Sequence, residues 1–484
     1  MGGGFGGVGA AVLLRRAGYE DVTVFEKRDR LGGVWEHNTY PGAACDVPSH
    51  LYEFSFEPNP RWSCRYAPQA EIQDYIEDVA RRHGVLERVR TGTEVLRAEW
   101  DDERDQWLLE TSAGPARADI LIPACGQLSV PKLPSIRGLE EFAGPVFHTA
   151  RWRHDVDLAG KRVAVIGTGC SAIQTVPAIQ PMVEQLDVYQ RSPGWTMPKL
   201  NFAYSERSKR LFERFPALQR LDRIATFAFM DLGAAAMTSQ RWLLGPFRAA
   251  GRRQISSAIE DPQLRAKVTP NDEIGCKRIM LTDEWYPTLT RPNVELIDEP
   301  IAEVTRGSVR LAGGGERPTE AIVLATGFDS HAFVAPMEVI GRGGRTLAEE
   351  WSPAAHAYLG LSVPGFPNMF LIYGPNTNGG TGSVIYVIEA AVAHVIAALE
   401  AMTIGRASRI EVSREVEQSF NRELQAALAG TVWHTGCESW YLDENGNDAN
   451  QWPWLWSTYR RRTAQIGPGV YKLARPAPVP VPAG

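Results

Sequence analysis

The apolar residues of this chain form short β-branched runs and longer stretches with helical spacing. Runs that end directly in glycine predict strands that stop at a turn, at residues 120–126, 161–167 and 321–327. Alternating apolar and polar residues predict half-buried strands at 94–100 and 106–111. Helical spacing predicts helices at 69–83, 171–179 and 388–402. Strands that alternate with helices in this way predict an α/β fold.

The same pattern divides the chain into nucleotide-binding units. The predicted parts are the first part of one such domain at 1–155, a second domain at 156–325, the remainder of the first domain at 326–470 and a Pro-rich tail at 471–484. The second domain contains a helical insertion at about 200–270, rich in Phe, Leu, Arg and Ala, which we interpret as a lid over the substrate. We expect residues 475–484 of the tail, with the sequence RPAPVPVPAG, to be disordered.

A first glycine motif opens the chain. Gly2, Gly4 and Gly7 form G-x-G-x-x-G, and Glu26 follows 24 residues after Gly2, at the end of an apolar run. This spacing is typical of a Rossmann βαβ unit, in which an acid at the tip of the second strand accepts hydrogen bonds from a ribose 2′-hydroxyl. The motif therefore predicts a site for FAD or NAD.

A second motif has the same spacing and the opposite charge. Gly167, Gly169 and Ala172 form G-x-G-x-x-A, and Arg191 follows 24 residues after Gly167. A cation at this position suits the 2′-phosphate of NADP. One chain with both sites is most simply a flavin enzyme that is supplied with electrons by NADPH.

The first motif lacks the strand that should precede it, because only Met1 comes before Gly2. In a doubly wound sheet that strand is central. We therefore expect the working protein to begin about 5–15 residues earlier, with an apolar β-branched run. An alternative is a remnant that binds NADP and lacks flavin.

Composition narrows the class of protein. A net charge of −6 without a long basic run argues against nucleic acid as a partner. No run of about 18 apolar residues and no signal peptide is visible, so we expect no spanning helix and a cytoplasmic location. The six cysteines are scattered without a C-x-x-C pair, which disfavours a dithiol–flavin reductase and a metal site. We expect each cysteine to be a small buried side chain in a reducing compartment.

Further motifs lie around the two glycine turns. They are Gly32-Gly33-Val34-Trp35 with Tyr40-Pro41-Gly42 and Asp46, Phe142-x-Gly144 with His148 and Trp152, Gln190-Arg191-Ser192-Pro193, Cys276-Lys277-Arg278, Ala325-Thr326-Gly327-Phe328 and Trp433-x-x-Gly436-Cys437-x-Ser439-Trp440-Tyr441. Over nearly the whole chain, this set resembles the type I Baeyer–Villiger monooxygenases. The resemblance implies FAD and NADPH as cofactors, and a reaction with O₂ through a flavin peroxide that converts a ketone to an ester or lactone.

The resemblance also implies roles for individual residues. Arg278 would be the catalytic cation, and Asp46 would hold it while contacting the flavin. Arg suits this role because it keeps its proton and can stabilise the negative charge that builds on the oxygens. The other implied cofactor contacts are Val34, Trp35 and Tyr52 for the flavin, Thr168 and Ser171 beside the second glycine turn, and Arg191, Ser192 and Lys277 for the 2′-phosphate. We expect His148 to be structural.

A different flavin enzyme is the main alternative. An S- or N-oxygenating flavin monooxygenase uses the same cofactors, with the protonated peroxide as an electrophile. Product analysis with a cyclic ketone, compared with a thioether or amine, would separate the two activities.

Overall fold

The computed structural model describes residues 1–437, 439–443 and 445–475. The α-helices of these residues are α1 (Phe5–Arg16), α2 (Val34–His37), α3 (Gln69–Arg82), α4 (Ala172–Ile179), α5 (Glu206–Arg214), α6 (Pro216–Thr238), α7 (Leu244–Ala258), α8 (Pro262–Val268), α9 (Trp285–Leu289), α10 (Leu347–Glu350), α11 (Val384–Gly405), α12 (Arg414–Leu428) and α13 (Trp456–Thr463). The strands are β1 (Val24–Phe25), β2 (Val89–Arg90), β3 (Val95–Asp101), β4 (Gln106–Thr111), β5 (Gly114–Ala118), β6 (Val146–His148), β7 (Arg162–Ile166), β8 (Gln185–Tyr189), β9 (Thr196–Met197), β10 (Met280–Leu281), β11 (Val294–Ile297), β12 (Ile301–Val304), β13 (Ser308–Leu311), β14 (Glu316–Pro318), β15 (Ala321–Leu324), β16 (Glu338–Ile340), β17 (Arg409–Val412) and β18 (Tyr471–Ala474).

A parallel sheet forms the centre of the second nucleotide unit. Its strands lie in the order β11-β8-β7-β15-β6, and every pairing is parallel. Strand β15 is apolar along its whole length and β7 is apolar from Val163 to Ile166, because both faces of the sheet are covered by apolar clusters. Strand β6 belongs to this sheet although it lies within residues 1–155. The predicted boundary at 155/156 is therefore wrong, and the unit begins before residue 146.

The first nucleotide unit is built around two buried helices. Helix α1, which follows the first glycine motif, packs against α11 in one apolar core. The Met1 amine donates to the Ile122 carbonyl (2.7 Å), and the Met1 carbonyl accepts from the Ala124 amide (2.8 Å). The Gly2 amide donates to the Phe25 carbonyl (2.8 Å). Met1 and Gly2 thus lie between the 122–124 segment and β1. With the parallel sheet of the second unit, the predicted pair of Rossmann-like domains is present.

Helix α11 is also the one helix among the described residues that is long and apolar enough to cross a membrane. More than half of its most apolar window is buried inside the protein, against α1 and α13. Burial in the core accounts for its composition, in agreement with the expectation of no spanning segment. It extends past both ends of the helix predicted at 388–402, and at the amino end its buried apolar face continues to Ile385.

Antiparallel sheets flank the two units. Their strand orders are β16-β3-β4-β5, β12-β13-β14 and β17-β18. In the first of these sheets, the edge strand β16 pairs in parallel with β3. The predicted start of the Pro-rich tail at residue 471 is wrong, because residues 471–474 form β18 and pair with β17. Only the residues after them are rich in proline. Residues 476–484 of that tail lie outside the described residues. The insertion predicted at about 200–270 contains helices α5 to α8.

A buried ion pair joins two of these sheets. Asp187 on β8 is almost fully buried, and Arg317 on β14 donates to it from Nε and Nη2, each over 2.9 Å. Arg317 also contacts Glu295 on β11. This bidentate pair connects the antiparallel β12-β13-β14 sheet to β8 of the parallel sheet, next to the edge strand β11.

We predict that Arg317→Ala lowers the free energy of unfolding by about 2–3 kcal/mol. The value lies below the ~3–5 kcal/mol of a fully buried pair because the Arg317 side chain is 27 % exposed. The control is Arg310→Ala, which removes the exposed pair with Glu303 on the same small sheet and should cost less than about 1 kcal/mol. Urea unfolding followed by circular dichroism compares the variants. Equal losses would show that the Asp187 carboxylate does not depend on Arg317.

Candidate active site

A cavity of about 2130 Å³ lies where the two nucleotide units meet. Predicted site residues that line it are Val34, Trp35, Asp46, Tyr52, Gly167, Thr168, Gly169, Ser171, Arg191, Ser192, Lys277 and Arg278. Predicted residues outside its lining are Gly2, Gly4, Gly7, Glu26 and Ala172. The structure thus brings the flavin-loop residues, the second glycine turn and the candidate catalytic arginine to one space, while the first glycine turn lies beside it.

The first glycine turn requires residues without side chains. Gly2 has φ +97°, and a Cβ on Gly7 would lie 1.8 Å from the Gly2 carbonyl oxygen. Gly4 caps the amino terminus of α1, where free backbone N–H groups favour an anion. The Glu26 carboxylate accepts from the Gly3 amide over 2.6 Å, so the predicted acid lies directly at the turn.

The Gly32-Gly33 loop lies against this turn. The Gly32 amide donates to the Gly3 carbonyl (2.8 Å), and a Cβ on Gly4 would lie 3.3 Å from the Gly33 Cα. The loop leads into α2, which carries Val34 and Trp35 into the cavity. Trp35 Nε1 donates to the Tyr52 hydroxyl over 3.1 Å. The two aromatic side chains are therefore fixed relative to the first glycine turn.

The second glycine turn follows β7 in the same manner. Gly167 has φ +113°, and a Cβ there would lie 2.4 Å from the Ala325 carbonyl oxygen. The Gly167 amide donates to the Tyr189 carbonyl over 3.0 Å, which ties the turn to the end of β8. Ala172 is fully buried and packs α4 onto the sheet, which explains why it does not line the cavity.

Two cations lie beyond the end of β8. Arg191 is exposed at the cavity wall, and Lys277 Nζ donates to the Ser192 hydroxyl over 3.0 Å. Lys277 also pairs with Asp272 over 2.7 Å. The three predicted residues for the 2′-phosphate are thus adjacent, but Lys277 already has a carboxylate partner.

The predicted pair of Arg278 and Asp46 is present. Arg278 donates to Asp46 Oδ2 from Nη2 (2.7 Å) and from Nε (3.2 Å), across 232 residues of sequence. Burial would raise the pKa of Asp46, but the charge and hydrogen bonds of Arg278 outweigh it and hold that pKa below its ordinary value. Asp46 in turn raises the pKa of Arg278 well above its ordinary value. Both groups are therefore charged at neutral pH.

Gln174 holds the Asp46 loop against the second unit. The Tyr40 hydroxyl donates to Gln174 Oε1, and Gln174 Nε2 donates to the Ala44 carbonyl, each over 2.9 Å. Sequence reasoning missed this residue. The available signal was a long polar side chain inside the otherwise apolar helix α4.

His148 does not line the cavity, and its structural role stays a prediction that its contacts favour. Its ring is buried, and Nδ1 accepts a hydrogen bond from the Ala150 amide over 3.0 Å, which caps a short helical turn.

Similarity to known proteins identifies the family to which this chain belongs. Residues 1–67 match the family described as NAD(P)-binding Rossmann-like domain. A Baeyer-Villiger monooxygenase of Streptomyces coelicolor is 42 % identical over 483 residues, which cover 99 % of this chain and 93 % of that protein. The chain belongs to the Baeyer–Villiger monooxygenases. These are NADPH-dependent flavin enzymes.

Solved structures of Baeyer–Villiger monooxygenases and related enzymes have the same fold over almost their full length. The oxidised steroid monooxygenase bound to NADP has a TM-score of 0.88 and 32 % identity, with 98 % of each chain covered. The complex of OTEMO with FAD and NADP has a TM-score of 0.88 and 25 % identity, again with 98 % of each chain covered.

A disulfide lies two residues before Arg278 in this Baeyer–Villiger monooxygenase. Cys276 and Cys437 are bonded, with their Cα atoms 6.3 Å apart and a sequence separation of 161 positions. The expectation of six unlinked, structural cysteines is therefore wrong for these two, whereas Cys45, Cys64, Cys125 and Cys170 are free. The bond ties the loop that carries Arg278 to the segment that carries Trp433 and Tyr441. No local spacing rule could reveal it, because the partners meet only in the folded chain.

We predict that alkylation in denaturant labels four cysteines without reductant and six after reduction, because two are bonded. Cys437→Ser should destabilise the protein by about 2–4 kcal/mol, as expected for loss of a long-loop disulfide. Mass spectrometry counts the labels, and thermal unfolding measures the destabilisation. Cys64→Ser, which changes a free cysteine, is the control and should leave Tm unchanged. Six labels without reductant would contradict the bond.

Proposed function

We propose that this enzyme binds FAD at the first glycine turn and NADPH at the second, and inserts one oxygen atom of O₂ beside a ketone carbonyl. The observation that carries the proposal is the Arg278–Asp46 pair in a cavity that the second turn lines, with the first turn beside it. The products would be esters or, from cyclic ketones, lactones. We also propose a cytoplasmic location, where NADPH is available.

The residues of the first unit fit FAD. A Cβ on Gly2 or Gly7 would clash with the backbone, so this tight turn needs glycine, and the adjoining helix terminus favours a pyrophosphate. Glu26 lies where it can accept from a ribose hydroxyl. Trp35 and Tyr52, joined by their hydrogen bond, would lie against the isoalloxazine ring. When bound, FAD supplies hydride acceptance and oxygen activation.

The second unit fits NADPH. The pyrophosphate would lie at the amino terminus of α4, beside Gly167, Thr168, Gly169 and Ser171. Arg191 and Lys277 would bind the 2′-phosphate, with Ser192 donating its hydroxyl. Arg191 should contribute more to selectivity, because Asp272 already neutralises part of the charge of Lys277.

Arg278 would stabilise the negative charge that develops on the ketone oxygen. Its guanidinium has five N–H donors, and two of them bind Asp46, so donors remain for a substrate. Asp46 fixes the plane of the group and keeps it charged. The low-dielectric cavity wall strengthens each of these interactions.

The proposed reaction can be tested with purified enzyme, NADPH, a cyclic ketone and ¹⁸O₂. Mass spectrometry should find a lactone that carries one ¹⁸O atom. Oxidation of a thioether or amine without any lactone would favour the S- or N-oxygenating alternative. A purified chain without flavin absorbance would favour the remnant that binds only NADP.

We predict that NADPH exceeds NADH by at least tenfold in kcat/KM, since each charge-assisted contact contributes about 1.5–3 kcal/mol. Arg191→Ala should reduce this ratio, mainly by raising KM for NADPH. The control is Arg162→Ala, at the opposite end of the same parallel sheet, which should leave the ratio unchanged. Steady-state kinetics with both coenzymes gives the ratio. Equal use of the two coenzymes by the unaltered enzyme would refute the 2′-phosphate site.

We predict that Arg278→Ala still allows NADPH to reduce the flavin but lowers lactone formation by about 10²-fold or more. NADPH would then be consumed with release of hydrogen peroxide. Arg278→Lys should recover little of the loss, because an ammonium lacks the planar fork that binds Asp46. Stopped-flow bleaching of the flavin and the product yield separate the two steps. A normal ester yield from Arg278→Ala would remove Arg278 from the mechanism.

A further inference from the structure

Helix α6 has its apolar side outward. Of its residues from 216 to 232, every exposed one is apolar except Arg220. The largest of these are Leu218, Leu221, Ile224, Phe229 and Leu232, which we name the α6 face. A surface helix ordinarily presents the opposite arrangement, with polar residues toward water. Leu221 and Phe229 are 60 % and 62 % exposed.

From Gln219 to Arg223, the inward side of the same helix carries polar side chains with fixed partners, whereas Phe227 and Met230 pack against the apolar core. Gln219 Nε2 donates to Glu53 Oε1 (3.0 Å), and Asp222 pairs with His50 (2.8 Å). Arg223 Nη1 donates to the backbone carbonyls of His50 (3.0 Å) and Glu53 (2.9 Å). Rotation of α6 to bury its apolar side would break all of these contacts. These polar contacts therefore fix the orientation of α6, with its exposed apolar residues outward.

Neighbouring residues extend the α6 face at both ends. Leu211 and Phe215 precede it, and Trp242, one of the most exposed large apolar side chains of the described residues, follows it. An exposed apolar surface of this extent is typical of a site that binds another protein or a membrane.

The charge of the residues around the α6 face indicates which kind of partner it binds. Residues 206–258 contain ten Lys and Arg but four Asp and Glu, a formal charge of +6 in a chain whose net charge is −6. Exposed members of this set near the face are Arg207, Arg210, Arg214 and Arg220. Apolar side chains rimmed by arginines are typical of helices that lie in the plane of an anionic membrane.

We infer that the α6 face binds the surface of an anionic phospholipid bilayer. Leucine and phenylalanine side chains would enter the boundary between headgroups and acyl chains, while the arginines contact lipid phosphates. A symmetric contact with a second copy is disfavoured, because it would place two segments of charge +6 against each other. The anionic cytoplasmic leaflet suits the proposed location.

This orientation would place the cavity close to the bilayer. Thr381, which lines the cavity, donates its hydroxyl to the Met230 carbonyl of α6 over 2.8 Å. A Cβ on Gly233 would also contact Thr381. One helix thus separates the α6 face from the cavity wall.

Vesicle flotation of the holoenzyme tests the inference. Phosphatidylcholine vesicles that contain about 30 % phosphatidylglycerol should carry the enzyme, and pure phosphatidylcholine vesicles should carry at least about fivefold less. Leu221→Glu/Phe229→Glu should weaken binding to the anionic vesicles by at least about tenfold. Both side chains are exposed, so flavin content and kcat with a water-soluble ketone should not change.

The matched control carries the same charge change elsewhere. Leu96→Glu/Ile404→Glu alters side chains that are 50 % and 84 % exposed, on β3 and at the end of α11, and should bind vesicles as the unaltered enzyme does. Arg214→Gln/Arg220→Gln should weaken binding to anionic vesicles, and added salt should do the same.

Three results would overturn the inference. They are absence of the unaltered enzyme from anionic vesicles, equal loss of binding in the control, and self-association that Leu221→Glu/Phe229→Glu abolishes in sedimentation experiments. The last result would assign the α6 face to contact between copies of the chain.

Discussion

The ion pair between Arg278 and Asp46 depends on nearly every other part of the structure. Each partner lies in a loop, and the two loops come from different nucleotide units. Two charges in a partly buried position are stable only with good geometry, because removal of either partner leaves a charge without compensation. The rest of the fold can be understood as the means by which two distant loops meet within hydrogen-bonding distance.

Three kinds of contact hold those loops. Gln174 fixes the Asp46 loop to helix α4 of the second unit. The Cys276–Cys437 disulfide fixes the Arg278 loop to the segment near Tyr441. Short strands β9 and β10 pair in parallel just beyond Arg278. A covalent bond, a side-chain amide and backbone hydrogen bonds therefore hold the two loops together.

The insertion between the two halves of the second sheet differs from the rest of the fold in how its polar and apolar residues are distributed. Between residues 219 and 223 its helix α6 makes polar contacts toward the protein, and its exposed residues are apolar where a surface helix would present polar ones. The predicted lid over the substrate remains a prediction, but its packing beside Thr381 places it next to the cavity. Its basic character contrasts with the acidic remainder of the chain.

The chemistry of the site was largely predictable from sequence, because its signals are local. Glycine spacing, the acid at Glu26 and the cation at Arg191 each follow from the geometry of one βαβ unit, and the strand at 106–111 was predicted at its observed limits. The resemblance carried by short motifs supplied Arg278 and Asp46. Tertiary structure alone decided the membership of β6 in the second sheet, the pairing of β18 with β17, the role of Gln174 and the disulfide. It also decided which side of α6 faces outward. These features join residues that are tens to hundreds of positions apart, and periodicity within one segment carries no information about the surface on which that segment will pack.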